Sequence, residues 1–216
     1  MEIHIWSDVV CPWCYLGKRR FERALATFDH RDAVRVAHRS FQLDPSKPRH
    51  ETSNRRAMLK AKYHLSDGQV LEMDGKMERM AAAEGLPFHL TDAGTTGNTL
   101  DAHQLLHLAK DRAVQDVVLE RLYRAYFTEQ RSLFDRDSLV ELGADAGLDP
   151  TEARQVLEHD SYVDAVTADV NEARSLGVSG VPFFVIAGRY GVSGAQSTDV
   201  FSEALARAWE EGATAS

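Results

Sequence analysis

Both cysteines of the 216-residue chain fall in one tetrapeptide, Cys11-Pro12-Trp13-Cys14. The stretch before them, Glu2-Ile3-His4-Ile5-Trp6, alternates like a strand. Behind them Trp13, Leu16, Gly17, Phe21, Ala24, Leu25 and Phe28 recur at steps of three and four, the spacing of one helix face. Pro12 suits a first turn, where its missing N–H removes no hydrogen bond. The pair therefore marks a strand-to-helix junction, with Cys11 at the helix N-terminus and Cys14 one turn in. A second strand pattern at 34–41 completes a β-α-β opening.

The centre, 53–176, is helical in pattern, with helices expected at 53–64, 67–84, 99–110, 113–129, 136–146, 150–158 and 162–176. Asp149-Pro150-Thr151-Glu152 supplies an N-cap, a proline at the first position and an acid at the third. Gly147 and Gly177 stand where helices close. Strand character returns in the apolar run Pro182-Phe183-Phe184-Val185-Ile186, the mark of a buried strand. A short strand at 190–192 and a last helix at 197–210 follow, and the tail 212–216 reads as disordered. The expected organisation is α/β: a discontinuous domain of residues 1–48 and 177–216, with residues 49–176 inserted as an α-helical domain.

Unpaired N–H groups and the positive dipole end at a helix N-terminus favour a thiolate. Such cysteines have pKa values lowered to about 3.5–7.5. Cys11, expected to face solvent there, is the candidate attacking sulfur, and Cys14 behind it can release a mixed disulfide. A tetrahedral zinc site needs four ligands, of which this pair supplies two. Only His103 and His107, among nine histidines, have helical ligand spacing, so no metal is expected. Net charge is −8, which gives nucleic acid and anionic membranes no basic surface to meet. No apolar run reaches the length of a spanning helix, and the N-terminus has neither a basic nor an apolar leader segment. The expected compartment is the cytoplasm, where a cysteine pair is more often catalytic or metal-binding than structural. Lys18-Arg19-Arg20 with Arg23 reads as a solvated face of the first helix.

Within a β-α-β opening the Cys-x-x-Cys motif reads as thioredoxin-like. Five stretches together resemble the FrnE-like branch of the DsbA family: Cys11-Pro12-Trp13-Cys14-Tyr15-Leu16-Gly17, the helical insert, Asn98-Thr99 with Ala102-His103, Gly180-Val181-Pro182-Phe183-Phe184, and Val192-Ser193-Gly194-Ala195-Gln196. The resemblance spans essentially the whole chain. It implies a thioredoxin-like fold with a large α-helical insertion and a thiol–disulfide oxidoreductase acting on protein or small-molecule thiols. In that reading Cys11 is the nucleophile, Cys14 the resolving thiol, and Pro182 a cis-proline preceded by Val181. Substrate is expected along Pro12, Trp13 and Val181, with Asn98 and His103 turned toward the cleft and Gln196 at its mouth. No cofactor is implied, although glutathione is a candidate co-substrate. The same superfamily includes kappa-class glutathione transferases and 2-hydroxychromene-2-carboxylate isomerases, which have serine where Cys11 stands, and FrnE-like tailoring proteins of polyketide biosynthesis.

Overall fold

A computed structural model of the protein describes residues 1–92 and 94–213. The chain forms two compact units, one of residues 1–43 and 168–216 and the other of residues 44–167.

The first unit is built on a four-stranded sheet in the order β2-β1-β5-β6. Strand β1 (Glu2–Ser7) pairs in parallel with β2 (Arg35–Ser40) and antiparallel with β5 (Phe183–Ile186), which pairs antiparallel with β6 (Tyr190–Ser193). A parallel neighbour requires a crossover, and α1 (Pro12–Ala26) supplies it. The alternation of β1 fixes its two faces. Ile3 and Ile5 pack with Phe184 and Ile186 against Phe21 and Ala24 of α1 and against Phe201, Leu205 and Ala208 of α9 (Thr198–Ala213). The rings of Phe21, Phe184 and Phe201 meet pairwise, with centroids 4.6–5.7 Å apart. Each buried ring contributes about 1.5–3 kcal/mol of hydrophobic stabilisation.

Trp6 faces the other way, onto Ala173 and Val178. Its indole N–H donates to the carbonyl oxygen of Asp169 at 3.0 Å. The Asp169 carboxylate is buried, and it accepts from Arg39 at 3.0 Å and from the Ser40 N–H at 2.8 Å. These contacts explain why the sheet unit resumes at Ala168, inside α8 (Val163–Ser175), rather than at the Gly177 helix stop expected as the boundary. The expected tail is helical through Ala213, and its last residues, 214–216, lie outside the described residues.

The second unit holds α2 (Arg55–Tyr63), α3 (Asp67–Ala83), α4 (Leu100–Asp111), α5 (Gln115–Phe127), α6 (Arg136–Asp145) and α7 (Pro150–Glu158). Asp149 caps α7 through the Glu152 N–H as its sequence implies, and Gly147 and Gly177 take positive φ at helix ends. A two-stranded ribbon, β3 (Thr52–Asn54) with β4 (Thr95–Gly97), stands where the sequence suggested the start of a helix and a loop. Helix α4 is buried over Asp101–Ala109, polar residues included. Its Leu105 and Leu108 belong with Leu119, Leu122, Tyr123 and Phe127 of α5 among the largest fully buried side chains. Among the described residues no helix is long and apolar enough to cross a membrane.

Candidate active site

The sheet unit places Cys11 at the N-cap of α1, in extended conformation with φ −93° and ψ 111°, with Pro12 at the first helical position. The carbonyl of Cys11 accepts the first helical hydrogen bonds from Cys14 and Tyr15, and its N–H donates to Asp8. The Cys11 side chain makes no cap hydrogen bond, and the first-turn N–H groups act on it through the positive end of the helix dipole. No acidic residue of that turn competes for its positive end.

Both sulfurs are free thiols. The expectation that Cys11 faces solvent is corrected: the residue is 4% exposed and Cys14 2%. A small side chain at the first turn is covered by its surroundings, whereas Trp13, projecting between the two, is 45% exposed. Burial pushes the Cys14 thiol well above its ordinary pKa. Its hydrogen bond with Cys11 and the nearby Cys11 and Asp8 charges add to that shift, while a backbone hydrogen bond at Asp8 opposes it.

The Val181–Pro182 peptide bond is cis. The Cys11 thiol donates to the Val181 carbonyl oxygen at 3.6 Å, so the two motifs from opposite ends of the chain meet. Pro182 is buried, and its carbonyl accepts from the Gly194 N–H at 2.8 Å. Gln196 sits in the following turn rather than at the start of the last helix, and its Nε2 donates to the Ser193 carbonyl at 2.8 Å.

Asn98 and His103 belong to the helical unit. The Asn98 amide donates to the Lys47 carbonyl at 2.6 Å and accepts from the Leu100 N–H at 2.9 Å, tying a loop to the start of α4. His103 is buried on α4. The basic run after the cysteines is not a uniformly solvated face. Lys18 is buried against Glu22, and Arg20 reaches the carbonyl oxygen of Ala195 at 2.9 Å. Asp8 is a buried acid beside Cys14 that the sequence did not single out. Its position three residues before Cys11 was the available signal.

A thioredoxin-like sheet carrying Cys-x-x-Cys at a helix N-terminus, with the residue before a cis-proline against the first sulfur, defines a thiol–disulfide oxidoreductase architecture. Residues 2–206 match the model of the DSBA-like thioredoxin domain, and the chain belongs to that family. It is 49% identical to a solved "probable DsbA oxidoreductase" of Streptomyces coelicolor, with a TM-score of 0.94 over 98% of this chain and 91% of that one. It is 28% identical to Bacillus subtilis (strain 168) YwbO, over 95% of this chain and 96% of that protein. The cytosolic disulfide reductase DsbM of Pseudomonas aeruginosa, solved with GSH, shares the fold at 19% identity and a TM-score of 0.67, over 97% of this chain and 100% of that one.

Proposed function

We propose that the protein exchanges electrons with protein or small-molecule disulfides through Cys11 and Cys14. The Cys11 thiolate attacks one sulfur of a substrate disulfide, and the other leaves as a thiolate. Cys14 then gives up its proton, which the departed thiolate takes up directly or through water, and bonds to the Cys11 sulfur as the Cys11–substrate S–S bond breaks, releasing the second substrate thiolate. Two electrons have passed from the dithiol to the substrate, and the protein is left with a Cys11–Cys14 disulfide. Run backward, the same steps oxidise a substrate dithiol, and relative reduction potentials decide the direction.

The observation that carries this reading is the Cys11 sulfur held against the Val181 carbonyl beside Pro182. A disulfide-bearing strand paired with the Val181 backbone brings its sulfur to Cys11 without demanding a particular sequence. The exposed Trp13, with Pro12, offers an apolar platform next to the attacking sulfur. We place the chain in the FrnE-like branch on the stretches Cys11–Gly17 and Val192–Gln196, with glutathione as a candidate co-substrate. The compartment we assign is the cytoplasm, in keeping with a cysteine content confined to this pair. The test is reduction of a disulfide-bonded model peptide and of oxidised glutathione by the dithiol protein. Loss of this stoichiometric reaction in Cys11→Ala supports the assignment; no reaction of the unaltered protein with either substrate overturns it.

A further inference from the structure

Gly17 lies one turn beyond Cys14 on α1 and is buried. A Cβ at this position would stand 2.9 Å from Cγ of Pro182, 3.3 Å from Cα of Ala195 and 3.4 Å from its Cβ. Carbon atoms in favourable contact lie about 3.5–4.0 Å apart. The helix backbone thus approaches the Pro182 ring and the Ala195 turn more closely than any side chain at 17 permits. Glycine in a helix interior costs about 1 kcal/mol relative to alanine, so this close approach accounts for the residue where helix propensity does not.

Arg20, three residues further along α1, donates from Nη1 to the Ala195 carbonyl at 2.9 Å. The neighbouring Gly194, at φ 79°, donates its N–H to the Pro182 carbonyl at 2.8 Å. The contacts form a closed circuit. It runs from α1 through Arg20 to Ala195, through Gly194 to Pro182 and Val181, and from the Val181 carbonyl back to Cys11 at the head of α1.

We propose that Gly17 and Arg20 are positioning residues of the thiol chemistry: Gly17 sets how near the Pro182 loop lies to α1, and Arg20 ties down the turn that holds that loop. Together they fix the Val181 carbonyl against the Cys11 sulfur. The proposal rests on the reading of Cys11 as nucleophile and adds two residues that touch neither substrate nor reacting sulfur.

The experiment uses the full chain carrying Cys14→Ala, so that reaction with oxidised glutathione stops at the Cys11 mixed disulfide and reports a single step. Misplacement by about 1 Å costs on the order of 100-fold in rate. Gly17→Ala, which demands a smaller shift, is expected to slow adduct formation by about tenfold and to move the pH midpoint of Cys11 alkylation. Arg20→Gln is expected to slow it by about threefold while retaining the native circular dichroism. Pro182→Ala removes the atom that a Cβ at 17 would strike, so in that background Gly17→Ala should change the rate by less than about twofold. Strictly additive effects in this cycle, or unchanged rate and pH midpoint in Gly17→Ala, overturn the proposal. Should Gly17→Ala fail to fold, an unchanged rate in Arg20→Gln overturns it. A Cys14→Ala parent that forms no adduct overturns the nucleophile reading itself, an outcome separate from a parent that reacts and a Gly17 variant that reacts equally well.

Discussion

The sulfur of Cys11 and the carbonyl oxygen of Val181 lie 3.6 Å apart although 170 positions separate the residues in the chain. Strand pairing brings them together: β1 leads into Cys11, β5 begins just after Pro182, and Trp6 is in register with Phe183. The first sulfur of the Cys-x-x-Cys pair is thereby placed beside a main-chain acceptor from the opposite end of the chain.

From this juxtaposition, Cys14→Ala incubated with oxidised glutathione should accumulate a covalent adduct on Cys11, and Cys11→Ala should accumulate none. Exchange passes through the mixed disulfide, and in the proposed mechanism Cys14, one helical turn away, resolves it in the unaltered protein because of its high effective concentration. Intact mass and non-reducing electrophoresis read the result. Equal adduct on both variants would show interchangeable thiols, and none on either would mark a structural pair.

The parts legible in the sequence were those whose signals are local. The β-α-β opening, the cysteine junction and the apolar strand at 183–186 each declare themselves within a few residues. The three-residue strands β3 and β4 are too short to show a period, and only their pairing of Thr52 with Gly97 makes them strands. Helix α4 carries Asp101, His103, Gln104 and His107, so its composition conceals a burial that comes from packing with α5, α6 and α7. Lys18 and Arg20 read as solvated because charge type says nothing about partners. Glu22 for one and the Ala195 carbonyl for the other are supplied by the fold. The burial of Cys11 is likewise a tertiary property that spacing does not encode.

Gly97 gives a stability test in the helical unit. A Cβ there would come within 2.7 Å of the Phe134 ring and 2.9 Å of the Glu51 carbonyl oxygen. The ribbon backbone cannot yield without disturbing its pairing, so Gly97→Ala is expected to destabilise by about 1–3 kcal/mol, the usual cost of overpacking. Urea unfolding should show a lower midpoint at unchanged slope. An unchanged midpoint would mean that the Phe134 ring has room to move.

Arg49 holds two acids: Asp160, whose oxygens it contacts at 2.6 and 2.9 Å, and Asp101. Hydrogen bonding to Arg49 lowers the Asp160 carboxyl from 3.8 to about 2. A folded-state value below the unfolded one contributes stability that is whole above pH 3.8 and is lost as pH falls toward about 2. The penalty of Arg49→Gln in thermal unfolding should therefore be largest above pH 4, on the order of the ordinary carboxylate range, and should narrow on acidification. Added salt should also shrink it, because the Asp160 side chain is 44% exposed and the pair is screened. A penalty constant from pH 6 down to about pH 2 would assign the role of Arg49 to packing rather than charge.

Cys14 is the thiol that should resist alkylation. Burial and contact with Cys11 hold it protonated well above the ordinary range, and the thiolate is the nucleophile. Mass analysis of the reduced protein after iodoacetamide treatment across pH should find Cys14 modified at higher pH than Cys11. In the proposed mechanism the burial that raises Cys14 also acts in the mixed disulfide, so the resolving step is expected to accelerate as pH rises. Asp8 provides the discriminating variant. Its carboxylate opposes a negative charge on Cys14, and it also accepts the Leu43 N–H at 2.8 Å, which an amide oxygen can do as well. Asp8→Asn is therefore expected to bring Cys14 alkylation to lower pH, though not to that of an exposed thiol, because burial is the larger cause. An unchanged Cys14 alkylation profile in Asp8→Asn, which keeps the backbone hydrogen bond, would show that the Asp8 charge does not act on Cys14.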